Sequence, residues 1–225
     1  MEITKDLIIS KLPNRPINAN KGTFGSVLII AGSKNFPGAA ILSVLACARV
    51  GAGLVSLATS EKVYKVIVPK IPFATFLDFS EIEKNLGKYD CVLIGPGLGG
   101  SHESRIMNYG FLTILNQKDK KLVFDADALN ALSELDGWYK SLKNNAVMTP
   151  HPGEMSRLTG LSIEQIQNSR GDIAKKYSKL WNKTVVLKGA KTVIANPVGE
   201  IFVSPFSNPL LAVAGTGDVL SGIIA

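Results

Sequence analysis

A chain of 225 residues, 46% of them hydrophobic, can bury one large core, and with no linker-like stretch it reads as a single domain over residues 1–225. Its 25 Lys and Arg against 18 Asp and Glu give a net charge of +7, which suits anionic small ligands; the charges are dispersed as pairs such as Lys120-Lys121 and Lys175-Lys176, so no nucleic-acid surface is expected. No apolar run is long enough to span a bilayer and no apolar leader follows Met1, which points to a cytoplasmic protein without a membrane partner.

In chain order, a polar segment ending in Leu12-Pro13-Asn14-Arg15-Pro16 reads as an extended lead-in. Ser26-Val27-Leu28-Ile29-Ile30-Ala31-Gly32 is a continuous apolar run of strand length, as in a strand covered on both faces. Ala39 to Val50 is apolar almost all round and rich in small residues, as in a helix packed closely on a sheet. Gly51-Ala52-Gly53 stops it, and Leu54 to Thr59 reads as the next strand, completing a βαβ unit. Cys47 and Cys91 lie in apolar runs and read as buried thiols rather than a bridge.

The pattern then repeats. Ser80-Glu81-Ile82-Glu83 has the spacing of a capping box for a short helix, and Cys91 to Gly95 is a further strand, with Pro96-Gly97-Leu98-Gly99-Gly100 at its end. Helical spacing runs from Glu103 to Leu115. The strand Lys121 to Phe124 delivers Asp125 and Asp127 just before a helix at Ala128, where either could serve as an N-cap. Asn145 to Thr149 is another strand, ending in Pro150-His151-Pro152-Gly153-Glu154; Ser162-Ile163-Glu164-Gln165 is a second capping box, opening a long amphipathic helix toward Trp181. Thr184 to Leu187 leads into Lys188-Gly189-Ala190-Lys191-Thr192, and the runs VIANP and EIFVSP read as strands of a meander.

The chain closes on Ala214-Gly215-Thr216-Gly217-Asp218-Val219-Leu220-Ser221-Gly222. A small-residue turn running into an apolar helix leaves backbone N–H groups uncovered, a natural site for a phosphate. Asp218 beside such a site is either a base with a proton to remove or simply a good first-turn residue, and the residues alone leave both open. In open α/β sheets ligands bind beyond the carboxyl ends of the strands. That edge would collect Gly32-Ser33, Gly97 and Gly99, Asp125 and Asp127, His151 with Glu154, Lys188, and Gly215 to Asp218. Each also has a plainer reading, Lys188 as a solvated edge charge among them.

The segments KGTFGSVLIIAGS, FPGAAILSVLACARVGAGLVSLAT, VLIGPGLG, VFDADALNAL, MTPHPGEMSRLTG, VVLKGAKTVI and AGTGDVLSGI together resemble the ADP/ATP-dependent (S)-NAD(P)H-hydrate dehydratase family, over nearly the whole chain and in order. The resemblance implies a ribokinase-like α/β fold, a three-layer αβα arrangement with a mostly parallel central sheet. It implies repair of hydrated nicotinamide cofactors, with ADP or ATP as phosphoryl donor and Mg²⁺ on its phosphates. Asp218 would be catalytic and would also contact substrate; Lys188, Gly189, Ala190, Lys191, Thr192, Gly215, Thr216 and Gly217 would line the nucleotide site. Ala40, Gly97, Gly99, Asp127 and His151 would contact the hydrated nicotinamide nucleotide. No complete protein metal cage is expected, water held by Glu154 being the nearest thing to one. A homo-oligomer is the family's habit.

Three departures accompany the resemblance. Ala214 stands where the family has a glycine, so a left-handed backbone there would be strained. The lead-in is too short for the epimerase domain that many members carry upstream. Members continue past GTGDVLSG, and Val219, Leu220, Ile223, Ile224 and Ala225 would leave an uncovered apolar stripe, so a longer protein with further C-terminal helices is expected. Two other classes share parts of the pattern: a ribokinase-like kinase of a small alcohol, and a non-catalytic nucleotide-binding protein.

Overall fold

A computed structural model of the chain describes residues 1–99, 120–142 and 145–225. Its centre is a nine-stranded sheet, with β1 Ser26–Ile30, β2 Leu54–Ala58, β3 Thr75–Leu77, β4 Cys91–Ile94, β5 Lys121–Phe124, β6 Ala146–Met148, β7 Thr184–Leu187, β8 Val193–Ala195 and β9 Ile201–Val203. The order is β3-β2-β1-β4-β5-β6-β7-β8-β9; the first seven strands run parallel, and β8 and β9 add antiparallel at one edge as the expected meander. The direction of winding reverses between β1 and β4, which opens a crevice beyond their carboxyl ends.

Helices cover both faces: α1 Lys5–Lys11, α2 Pro37–Val50, α3 Glu61–Ile67, α4 Ile82–Asn85, α5 Asp127–Ser133, α6 Trp138–Ser141, α7 Pro152–Thr159, α8 Ile163–Asn168, α9 Arg170–Trp181 and α10 Thr216–Ile224. Period-two alternation divides the core between them. Val27 and Ile29 of β1 face α2 and α3 with Val55, Leu57 and Leu93, whereas Leu28 and Ile30 join Phe124, Met148 and Leu187 beneath α5, α7 and α9. Val27 to Ile30 are each at most 4% exposed, and such burial stabilises by roughly 1.5–3 kcal/mol per side chain. The three-layer α/β arrangement is the one expected, and Cys47 and Cys91 are free and buried, with burial pushing their thiols up to about 12 and about 11.

Local expectations need three corrections. The lead-in is not wholly extended: Thr4 caps α1 by accepting from the Leu7 N–H at 3.2 Å, and the prolines follow the helix rather than prevent it. The capping box sits two residues before Ser80, where Asp78 and Glu81 cap a 3₁₀ turn leading into α4, because Ser80 spends both its N–H and its hydroxyl as donors to Asp78 Oδ1. The Ser162–Gln165 box is present, yet the helix it opens breaks at Ser169 (φ −140°, ψ 41°) into α8 and α9. The helix expected over Glu103 to Leu115 lies outside the described residues.

The amino terminus runs beside β9, with Ile3 N–H donating to Val203 O and Val203 N–H to Met1 O. A sheet edge is thereby capped instead of left open. On the α2 face, a groove of about 420 Å³ lies over β5, β6 and β7, lined by residues such as Val123, Val147, Lys183 and Ile224. The C-terminal stripe is only partly uncovered: Ser221 and Gly222 are buried against α2 and Ile224 packs into the core, while Ile223 is exposed.

Candidate active site

The turn at 214–218 is built by Gly215, which caps α10 in a left-handed conformation at φ +93°. A β-carbon there would also come within 2.5 Å of Leu42 Cδ1, so conformation and space both call for glycine. The left-handed position is thus one residue later than expected, Ala214 has ordinary φ, and the anticipated strain is absent. Val219 N–H is the first to bond back, to Gly215 O at 3.0 Å; the N–H groups of Thr216, Gly217 and Asp218 have no acceptor among the described residues. Both the Ser43 hydroxyl of α2 and the Ser221 hydroxyl donate to Asp218 O at 3.1 Å, tying the start of α10 to the helix that carries FPGAA.

Opposite this turn lies the Asp125-Ala126-Asp127 corner. Neither aspartate caps α5: Ala126 occupies the cap position, with φ +48°, a non-glycine residue in a sparsely populated region. The corner sends the two carboxylates apart. Asp125, 1% exposed, accepts from Lys188 Nζ at 2.6 Å and from the Thr149 hydroxyl at 2.7 Å. Asp127 accepts from the Gly99 N–H at 2.9 Å and so holds the GPGLG loop down.

Lys188 is therefore not a solvated edge charge. Its side chain is 18% exposed, paired with Asp125 and 3.6 Å from Glu154 Oε2, while its N–H donates to Pro150 O at 2.8 Å and joins the β7 and β6 loops. Breaking such a buried pair strands a charge, which costs about 3–5 kcal/mol. Gly217 stands over it: a β-carbon added there would lie 3.5 Å from Lys188 Nζ and 4.0 Å from Asp125 Oδ2. Free N–H groups and an ammonium thus share one corner.

His151 acts as an unusual N-cap. Its Nδ1 accepts from the N–H groups of Gly153 at 2.9 Å and Glu154 at 3.2 Å, and Glu154 Oε2 accepts from the His151 N–H at 2.7 Å. This fixes the ring, with Nε2 3.4 Å from Glu154 Oε1 and the side chain half exposed. The same bonds engage one oxygen of Glu154, which is 4% exposed and 3.6 Å from Lys188 Nζ. Gly97, at φ +60°, brings its loop against α2, where a β-carbon would meet Ala39 Cβ at 2.6 Å and Phe36 Cβ at 2.8 Å. Ala40 is fully buried, below Gly32, and faces the core rather than the cleft.

Asp218 is the carboxylate that stays unpaired. No hydrogen bond or ion pair reaches its side chain among the described residues, and its carboxyl is pushed up to about 6 by burial first and by the neighbouring Asp125 charge second. Lys188 opposes the shift and Asp127 adds to it, so Asp218, Asp125, Lys188 and Asp127 belong to one electrostatic site. A base with such a value is ionised at neutral pH yet still able to take a proton.

In the 188–192 loop, Gly189, Ala190 and Lys191 are exposed, and Thr192 O accepts from the Ser204 N–H. One residue beneath it carried no sequence signal. Arg170 donates to Leu187 O at 2.8 Å and Lys191 O at 3.4 Å, bracketing both ends, and a β-carbon at Gly189 would collide with its guanidinium. Thr149 and Ser43 were likewise unmarked, because a buried hydroxyl in an apolar run looks the same whether or not it serves the site. Among the described residues no group of three or more His, Cys, Asp or Glu is disposed to hold a metal ion. With Asp125 and Glu154 engaged, the donor set fits an ion carried by ligand phosphates better than one held by protein alone.

Comparison with known proteins agrees with this geometry. A family model described as NAD(P)H-hydrate dehydratase matches residues 27–225. The chain is 37% identical to the bifunctional NAD(P)H-hydrate repair enzyme Nnr of Moorella thermoacetica over 96% of its own length, but it spans only 43% of that relative. It is 35% identical to the ADP-dependent (S)-NAD(P)H-hydrate dehydratase of Bacillus subtilis, covering 98% of this chain and 78% of the relative. The crystal structure of the Bacillus subtilis ADP/ATP-dependent NAD(P)H-hydrate dehydratase, co-crystallised with ATP/Mg²⁺, superposes with a TM-score of 0.86 at 36% identity over 98% of this chain and 78% of that one. With a family model over residues 27–225 and a relative 35% identical that the chain covers to 78%, the chain that carries this edge belongs to the NAD(P)H-hydrate dehydratase family.

Proposed function

We propose that this chain catalyses the ADP- or ATP-dependent dehydration of (6S)-NAD(P)H hydrate to NAD(P)H, releasing phosphate and AMP or ADP. The observation that carries the reading is Asp218: a carboxylate raised to about 6, without a partner, at a helix start whose N–H groups are free and which overhangs Lys188. Hydroxide leaves poorly from the hydrated ring, so the hydroxyl first becomes a phosphate ester. Asp218 accepts the hydroxyl proton as that oxygen attacks the terminal phosphoryl group; the free N–H groups of Thr216, Gly217 and Asp218 and the Lys188 ammonium stabilise its charge. The ring-nitrogen lone pair then expels phosphate, and loss of the adjacent proton restores the dihydronicotinamide.

The loop of Lys188, Gly189, Ala190, Lys191 and Thr192 would take the nucleotide, and Gly97, Gly99, Asp127 and His151 the hydrated nicotinamide nucleotide, with Ala40 shaping the wall behind them. Mg²⁺ would arrive on the nucleotide phosphates and neutralise part of their charge. We place the protein in the cytoplasm on its two free buried thiols, and no helix among the described residues is long and apolar enough to cross a membrane. Exposed Phe206, Leu210, Leu211 and Val213 form an apolar stretch that favours a homo-oligomer. The test is recovery of dihydronicotinamide absorbance from hydrated NADH with ADP and ATP in turn; no recovery with either would reject the activity, and a stable phosphorylated alcohol as product would favour a kinase.

A further inference from the structure

One buried side-chain polar atom among the described residues has no hydrogen-bond partner, the Ser33 hydroxyl. Ser33 is 3% exposed and follows β1 at the point where the sheet order reverses. Such an atom forfeits its water without recompense, and native proteins keep few of them. Its surroundings make the position informative. Gly32 N–H donates to Pro96 O at 2.9 Å and Phe36 N–H to Ser33 O at 3.1 Å, so the backbone on both sides is fixed. A β-carbon added at Gly99 would stand 3.3 Å from Ser33 Oγ, and Gly99 is the residue that Asp127 holds through its N–H. The hydroxyl therefore lies under the GPGLG loop, between the strands that bound the crevice, well apart in sequence from the phosphate turn and the 188–192 loop.

We infer that Ser33 Oγ is a substrate-binding group, hydrogen-bonding a polar group on the nicotinamide-bearing half of the hydrated cofactor when that ligand occupies the crevice beside the Gly97–Gly99 loop. The inference rests on the proposed substrate and adds to it a residue for specificity. A site that leaves a buried hydroxyl unpaired until its ligand arrives favours ligands able to pair with it, since an apolar replacement leaves the cost in place. The orphan also sets Ser33 apart from a structural serine, because its removal takes no bond from the folded protein.

The experiment is Ser33→Ala, with hydrated NADH and ADP titrated separately against wild type and variant, and with melting of both proteins free of ligand. The expected result is a Kd for hydrated NADH weaker by about 5- to 10-fold, an unchanged Kd for ADP, and a melting midpoint no lower than wild type. Unchanged affinity for hydrated NADH would overturn the inference and leave water as the partner. A lowered midpoint with both affinities reduced alike would overturn it in favour of a structural role. A wild-type protein that does not bind hydrated NADH at all would reject the proposed substrate, and Ser33's part with it, so the two failures are read from different proteins.

Discussion

Replacing Asp218 by Asn should make the protein more stable and nearly inactive, with pH dependence linking the two effects. The carboxyl is raised from 3.8 to about 6 by burial and by Asp125. At about 1.36 kcal/mol per pH unit, a shift of that size has a ceiling of roughly 3 kcal/mol. The side chain is only half buried, and solvent screening brings the destabilisation down to about 1–2 kcal/mol. The sign follows from proton binding: between pH 3.8 and 6 the folded protein holds a proton that the unfolded chain releases. The cost of the carboxylate is therefore absent below the lower value, grows as pH rises through the upper one, and is constant above it. Asn carries no such cost. For a domain of this size about 2–4 °C accompanies each kcal/mol, so D218N should melt roughly 2–8 °C above wild type at pH 8 and level with it near pH 4. Turnover should fall by about 10²–10⁴, the usual contribution of a positioned base, and wild-type kcat/KM should decline below pH about 6. Scanning calorimetry at the two pH values, with absorbance assays, decides it. Equal midpoints at pH 8 would mean that the site does not strain this carboxylate, and near-native turnover would remove it from the mechanism.

Three further predictions concern its neighbours. His151→Asn keeps a side chain suited to capping α7 while removing Nε2, so titration should find hydrated NADH bound about 5- to 10-fold more weakly and ADP unchanged; a selective loss of ADP would put His151 in the donor half. Arg170→Ala frees both ends of the 188–192 loop and should raise KM for ADP by about 10-fold, while KM for the hydrate and kcat at saturating ADP move little; parallel changes in both KM values would make Arg170 a general scaffold residue. Lys188→Met strands buried Asp125 at a cost of about 3–5 kcal/mol, and without the ammonium that lowers the Asp218 carboxyl the acid limb of kcat/KM should move above pH about 6, which a pH–rate profile reads directly.

Six of the seven parallel strands were legible because they are short apolar runs closed by a glycine, a proline or a polar residue, whereas β3 Thr75–Leu77, three residues long, carries no such pattern. The candidate edge was legible for the same reason, since polar residues that interrupt such runs at their carboxyl ends have few structural uses. What escaped depended on direction. Whether Asp125 or Asp127 caps α5 is settled by the backbone of Ala126, whose left-handed φ nothing in alanine announces. The break at Ser169 comes just before Arg170, whose bonds to Leu187 O and Lys191 O join residues distant in sequence. His151 could be singled out between its prolines, but its capping bonds follow from its extended backbone (φ −79°, ψ 168°), which turns Nδ1 back onto the first N–H groups of α7.

The site is also asymmetric in how firmly it is held. The half proposed for the hydrated nucleotide is anchored in the core, through Gly97 packed on α2 and Gly99 bound to Asp127. The half proposed for the phosphoryl donor lies on an exposed loop braced by Arg170 and on a nine-residue helix. Ser43 is where the halves meet: it lies on the helix whose first turn packs on the GPGLG loop, and it bonds the carbonyl of Asp218. A displacement of α2 by a bound ligand would thus be passed to Asp218. If Asp218 is the base of the proposed reaction, this connection makes its position depend on both ligands, as suits a step that joins them.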